Sequence, residues 1–528
     1  MDVAELKARF AEIAASLSQS VGEDATALAL LNSQNLLIST LLEMFATLSE
    51  QNKAQQEQNE KIVRQNERLT TTIIELQDTI KDLRRQLNMD SHNSSKPPSS
   101  DGYRKPNRNR SLRENSGRKP GGQKNHKGMN MSLPHEPDEV KIHTPEKCQI
   151  CPHLASCRAG GKVFVCGEKR YVVDAVVSTK VIEHQSIKAV ACPCGESKLK
   201  GEFPEDVKAY IQYGDAFTAM SGLLSTYGAV STDRIQTIID GMFNVTLSEG
   251  TILAMVEKCG HKVSDVVQKI KEVLKGSAVV NFDETGVRVE GSTQWVHNSS
   301  NERYTYLTVN KKRGQEGIED NGVIVNFNGT AVHDCWGSYW KFDGILHGVC
   351  CAHLLRELIA NIENNPSHIW AERLKALLIT MKTLKEQAVE QGKTLLTEGI
   401  IKTLEHEYDE IMSYALMECP PPDNTGPKKR GKKKKGKERS LIERLIKLKD
   451  SVCLFIHDFA VPFDNNQAER DLRNVKTKAK VSGCFRTKKG AQTYLTITSY
   501  LSTARKHGIN AFAALTAAFK GEAEKVLG

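Results

Sequence analysis

The stretch from Ser277 to Trp295, SAVVNFDETGVRVEGSTQW, constrains the fold more than any other. Ala278 to Phe282 is a short apolar run rich in β-branched residues, the composition of a buried strand. It ends in Asp283. Glu284-Thr285-Gly286 predicts a tight turn, and Val287-Arg288-Val289 alternates as a returning strand. A carboxylate at the mouth of such a hairpin points out of the sheet, where it can meet a metal ion. A second strand-end carboxylate, Asp334, lies about fifty residues on in GTAVHD. A third candidate is Glu469 in FDNNQAERDLR, a loop feeding a helix. Two strand-borne Asp and one helix-borne Glu can converge on a pair of divalent cations, which take oxygen ligands. Spacing alone does not decide the matter. The chain holds 64 Asp and Glu, most of them solvated, and turn or cap roles are common for Asp. Glu469 and Arg473 also stand at i and i+4, the spacing of a plain helix ion pair.

At 528 residues, 39% of them hydrophobic, the chain is long enough for several domains with sizeable cores. Its net charge is +9, concentrated in two blocks, Lys96 to Lys127 and Lys428 to Lys437. Basic segments in flexible chain suit a polyanion, most simply nucleic acid, although a solubilising linker has the same composition. Six of the 13 Cys fall between Cys148 and Cys194. Clustered Cys without a secretion signal point to metal before disulfides. The N-terminus has no apolar signal region, and no apolar run approaches the roughly twenty residues of a membrane span. The expectation is a cytoplasmic protein with no membrane partner.

In chain order, residues 1–90 predict helix with a coiled-coil seam. Ile62, Asn66, Leu69, Ile73, Leu76, Ile80, Leu83 and Leu87 step alternately by four and three. Ile at a and Leu at d favour two parallel strands, with Asn66 at an a position fixing register. Self-association is expected; a helical hairpin on the same chain is the alternative. Leu37, Leu41, Met44 and Leu48 run in a different phase. Residues 91–135 predict a flexible basic linker. Residues 136–204 hold Cys148-x-x-Cys151 and Cys192-x-Cys194, framing strand-like Tyr171 to Val177 and Lys180 to Val190. This predicts a zinc ribbon with one structural Zn²⁺. Cys157, Cys166 and His153 are alternative ligands, and small buried thiols the bland reading. Residues 205–275 predict a helix-turn-helix-like unit: Asp215 to Thr226, Thr232 to Met242, and a third helix capped by Ser248. A structural helical subdomain fits equally well. Residues 276–485 predict the α/β catalytic domain. Tyr304 to Asn310, Val323 to Phe327 and Ile345 to Cys350 are further strands, and 353–450 is a helical insertion. Residues 486–528 predict closing helices. The whole is a multidomain α+β chain.

Several blocks resemble the insertion sequence 66 family of bacterial transposases: NFDETGVRVEG, AVHDCWGSYW, CCAHLLREL and DNNQAERDLRNVK, with NSSKPPSSDG and GRKPGGQKNHKG in the linker. The resemblance runs from about residue 90 to the C-terminus, in the expected order. It implies a ribonuclease H-like core with an Asp-Asp-Glu triad, matched by motif to Asp283, Asp334 and Glu469. Two Mg²⁺ about 4 Å apart would serve water attack at the transposon end and then 3′-OH attack on target DNA. Transposon ends, target DNA and accessory proteins of the element are the implied partners, in the bacterial nucleoid. Arg470, Arg473 and Lys476 follow on the Glu469 helix and suit phosphates; a solvated basic face is their other reading. His353 and Arg356 are placed to face the site, His353 also fitting a structural role. The sequence departs from the family at Leu355, where an Arg is usual, and in the C-x-C spacing at Cys194. A zinc-containing, non-catalytic DNA-binding regulator and a nuclease that cuts without joining are the rivals.

Overall fold

A computed structural model describes residues 3–20, 25–89, 93–94, 136–141, 143, 146–159, 169–173, 177–188, 200–421 and 436–528. The chain divides into two compact units, Met1–Asp90 and Ser91–Gly528.

The first unit is helical. A short α1, Val3–Ser20, packs on α2, Ala25–Asn88. The 64 residues of α2 contain no Gly or Pro, so nothing in its interior breaks the ladder, and it is about 96 Å long. The heptad positions lie open: Leu69, Leu76 and Leu83 are 52, 55 and 52% exposed, and Ile73 and Ile80 53 and 48%. An 18-residue window within Ala25–Leu87 is long and apolar enough, by length and composition, to cross a membrane. The segment before Glu43 carries no charge, although Asn32, Ser33, Gln34 and Asn35 interrupt its apolar residues.

The second unit opens with two short helices, α3 at Glu146–Gln149 and α4 at Leu154–Ala159. The strands expected between 171 and 190 do not form among the described residues, which carry one isolated bridge, Lys188 to Lys200. Val172 and Val181 are exposed, so alternation here has nothing to bury against. The helical unit follows as α5 Asp215–Thr226, α6 Thr232–Phe243 and α7 Glu249–Lys275. Ser248 caps α7 as its sequence position requires, its Oγ accepting from the Thr251 N–H at 3.0 Å. Residues 205–214 are not helical. Apolar residues at helical spacing along α7, from Cys259 through Val263, Val267 and Ile270 to Leu274, bury one face beneath the sheet.

The sheet has five strands in the order β3-β2-β1-β4-β5. They are β1 Val279–Val289, β2 Ser292–Ser300, β3 Thr305–Asn310, β4 Thr330–His333 and β5 Leu346–Val349. β1, β2 and β3 are antiparallel neighbours; β4 and β5 run parallel to β1. The hairpin turn differs from expectation. β1 continues through Glu284-Thr285-Gly286, and the chain reverses at Glu290-Gly291, where φ is 52° and 73°. Two consecutive left-handed residues make the turn that matches strand twist, and Glu-Gly supplies them. Asp283 therefore lies within a strand. Val323 to Phe327 is a 3-10 turn, Ile324–Asn326, not a strand; Val323, Ile324 and Phe327 fill the core as a cluster while Val325 is exposed. Before it, α8 spans Gln315–Asn321.

After β5 comes a helical block: α9 Cys351–Asn364, α10 Trp370–Glu390, α11 Glu398–Glu418, α12 Lys437–Lys447 and α13 Lys449–His457. It builds its own core around Trp370, Leu378, Tyr408 and Ile442. α14 Asn466–Ser482, α15 Lys488–Lys506 and α16 Ala511–Phe519 close the chain. Period-two alternation sorts β1 between two layers. Val280 and Phe282 pack with α7, α15 and α16; Val287 and Val289 pack with Leu472 and Val475 of α14. Asn281 and Asp283 share the parity of the second pair, so Asp283 faces the side on which α14 lies.

Candidate active site

β4 pairs with β1 in parallel from Val279↔Thr330 to Asn281↔Val332. Continued for two more positions, the same register sets Asp283 opposite Asp334. The ladder stops before that point, and the adjacent Cys350 N–H closes on the His333 carbonyl at 2.9 Å as α9 begins. Both aspartates thus stand where the parallel pairing ends, at the carboxyl end of β4, the usual side for a ligand in an α/β sheet. The Asp334 carboxylate is held by the Trp336 N–H at 2.9 Å, and Asp283 by the Glu284 N–H at 2.9 Å.

Asp283 retains some exposed surface, yet protein atoms crowd its carboxyl. That crowding, then the Glu284 and Asp334 carboxylates, push it up to about 8, against the pull of the Glu284 N–H and Lys476. Glu284 points to the other layer and is fully engaged. It accepts from the Tyr339 hydroxyl at 2.9 Å and from Arg313 Nε at 2.9 Å. The Arg313 guanidinium lies 3.9 Å from the Trp336 ring centre and 4.9 Å from that of Trp295. Burial first, and Asp334 second, raise the Glu284 pKa.

Glu469 sits in the first turn of α14 and leans on α9. Its Oε1 lies 3.5 Å from Arg356 Nη2 and 3.9 Å from His353 Nε2. The partner allowed by i, i+4 spacing, Arg473, does not take part in these contacts. His353 also faces Cys350, whose Sγ is 3.2 Å from its Nδ1. Burial and then Arg356 lower the His353 pKa, while Glu469 and Asp334 act to raise it. The charge of Glu469 and that of Asp334 therefore meet at His353. Burial pushes the Cys350 thiol up to about 12, so it serves as a packed acceptor, not a nucleophile.

Asn465 joins these parts and was not singled out from the sequence. It is 2% exposed. Its Nδ2 donates to the Phe282 carbonyl at 2.7 Å, its Oδ1 accepts from Asn281 Nδ2 at 2.8 Å, and its N–H reaches Cys350 Sγ at 3.1 Å. Its carbonyl accepts from the Glu469 N–H at 3.3 Å. Lys478, three turns along α14, is partly buried and donates to the carbonyls of Ser225 at 3.2 Å and Val230 at 3.4 Å, at the end of α5.

Oxygen-rich, negatively crowded and short of cations, the Asp283–Asp334 pair fits a hard divalent ion. Asn298, opposite Asp283 on β2, adds a buried Oδ1 with no hydrogen-bond partner. With Glu469 drawn to α9, no three His, Cys, Asp or Glu side chains among the described residues are grouped to enclose a metal. Arg470, Arg473 and Lys476 are exposed along α14, Arg470 donating to Gln467 Oε1 at 2.8 Å. Of the cysteines assigned to zinc, Cys192 and Cys194 lie outside the described residues, as do Cys166 and most of both basic blocks. Cys151 and Cys157 are half-buried and form no disulfide.

The family model described as Transposase IS66 family matches residues 212–493, from just before α5 into α15. The chain belongs to that family of transposases. A second model, described as a family of unknown function, matches residues 46–132. No curated protein matches the chain. Family membership makes this a DNA-binding, DNA-processing enzyme in general terms.

Proposed function

We propose that the protein cleaves DNA at the ends of an insertion sequence and transfers the freed strands to target DNA, using Asp283, Asp334 and Glu469 on a ribonuclease H-like core. The observation that carries this reading is the register that brings two aspartates together where β1 and β4 part, with α14 packed on the same face. The three carboxylates would hold two Mg²⁺, which when bound neutralise phosphate charge and activate the attacking oxygen. Asp283, Asp334 and Glu469 would be the carboxylate ligands that hold these ions. Arg470, Arg473 and Lys476 bind the phosphates of the strand entering the site and carry no sequence information. Arg356 and His353 orient Glu469. Two chains meet through the α2 seam so that two ends are processed together, and accessory proteins of the element complete the assembly.

The test is metal-dependent nicking and joining of DNA that carries the element's ends. Asp283→Asn removes a ligand charge without changing volume. It should lower cleavage by about a thousandfold, the worth of several kcal/mol of charge stabilisation, and leave DNA binding intact. Normal strand transfer by that variant would sink the assignment. Binding without nicking in the native protein would favour a zinc-containing regulator, and nicking without joining a stand-alone nuclease.

One structural Zn²⁺ per chain is proposed for Cys148, Cys151, Cys192 and Cys194. The motive is two thiolate pairs about forty residues apart. Elemental analysis of protein purified without chelator should find one zinc, and finding none overturns the proposal.

A further inference from the structure

An asparagine just before a helix ordinarily turns its side chain to the helix's own first N–H groups. Asn465 precedes α14 and makes no such bond. Asp464 takes over, its Oδ1 accepting from the Asn466 N–H at 3.0 Å. The Asn465 amide is spent on β1 instead. Both of its polar atoms go there, one to the Phe282 carbonyl and one to Asn281. Pairing between β1 and β4 ends at Asn281, so the amide meets β1 at the first position past that ladder, immediately before Asp283. The backbone of the same residue bonds Cys350, which leads into α9, and the Glu469 N–H. A buried residue thus touches the strand of Asp283, the start of the helix bearing His353 and Arg356, and Glu469 itself.

We propose that Asn465 is a positioning residue that sets the separation between the Asp283 strand and the Glu469 helix, and through it the cation affinity of the site. This rests on the reading that Asp283, Asp334 and Glu469 act together. Fixed first ligands need such support, because a shift of about 1 Å in one carboxylate weakens a two-ion site. A merely structural asparagine would stabilise the fold equally in the presence or absence of metal.

Asn465→Asp tests this in the full-length chain. It keeps the shape and the acceptor but sets an oxygen against the Phe282 carbonyl. Asn465→Ser shortens the reach and adds no charge. Mn²⁺ binding without DNA, followed by electron paramagnetic resonance, should weaken by about tenfold or more in both variants. The half-saturating Mn²⁺ for nicking should rise in parallel. Melting temperature should fall by several degrees in Asn465→Ser and further in Asn465→Asp with the fold retained, and end-DNA affinity should stay within about twofold. Asn281→Ala, which leaves the Phe282 bond, should give a smaller shift. Unchanged Mn²⁺ affinity in both Asn465 variants overturns the proposal. So does a loss of folding in both, which would assign Asn465 to the core alone. Asp283→Asn is run beside them. If it retains Mn²⁺ binding and activity, the three-carboxylate reading fails, whatever Asn465 does. If it loses both while the Asn465 variants match the native protein, only the positioning role fails.

Discussion

Lys506 and Asp471 form an ion pair 7% and 0% exposed, 2.7 Å apart. Lys506 Nζ also donates to the carbonyls of Asn301 and Tyr304 and to Thr305 Oγ1. Asp471 lies two residues after Glu469, on the buried side of α14, so this pair ties the Glu469 helix to α15 and the β2–β3 turn. Removing one partner by Asp471→Ala leaves an uncompensated buried charge and should cost about 3–5 kcal/mol. Burial lowers the Lys506 pKa from 10.5 to about 8, although Asp471 acts to raise it. The unfolded lysine titrates near 10.5. Between about 8 and 10.5 the folded chain therefore binds fewer protons than the unfolded one. From this group, stability rises with pH across that window and is lowest below it. Urea unfolding of the native chain and of a Lys506→Met, Asp471→Asn double variant, each near neutral pH and near pH 10, checks the sign. The difference should move in favour of the native chain at the higher pH.

At the scale of elements, α2 carries the clearest prediction. Its e and g positions beside the seam are Val63, Gln65, Thr70, Thr72, Gln77, Thr79, Arg84 and Gln86, so two identical copies paired along the seam would meet with almost no charge between them. The half-exposed Leu and Ile seam would supply the attraction in such a dimer, and Asn66 would select the register in which it finds its mate. A fragment of about residues 55–90 should be helical and dimeric, and Leu76→Pro should abolish both properties. Light scattering that finds the native fragment monomeric at high concentration would return the helix to packing on its own chain. In the full protein the proline variant should reduce paired-end complexes more than single-end binding.

Across the whole molecule, what could be read in the sequence was local. α5, α6, α7 and α16 follow from apolar period and caps, and Ser248 is the clearest case. Asp283, Asp334 and Glu469 were singled out through the motifs around them; the structure places Asp283 in β1 and Asp334 directly after the neighbouring β4. The turn after β1 was misplaced because Gly286 competes with Glu290-Gly291 as a turn signal, and only the pairing partner decides. Gly286 stays in the strand, opposite Trp295. Val323 to Phe327 was misread because a buried apolar cluster looks the same in a strand or a 3-10 turn. Asn465 was invisible for a different reason. Its partner Asn281 is 184 residues away, and no local pattern reports such a bond.

Lys478 has a consequence of a mechanical kind. Burial lowers its pKa, and its ammonium group is anchored on carbonyls where α5 gives way to α6. It lies nine positions after Glu469 on an unbroken helix, about 13 Å along the axis. A helix of that length behaves as a stiff rod, so Lys478 is a coupling pin at one end and Glu469 the tip at the other. A tilt of the α5–α6 corner would therefore pull on the helix that carries Glu469. The helices ahead of the sheet and the Glu469 helix are joined by this contact without sharing a pocket.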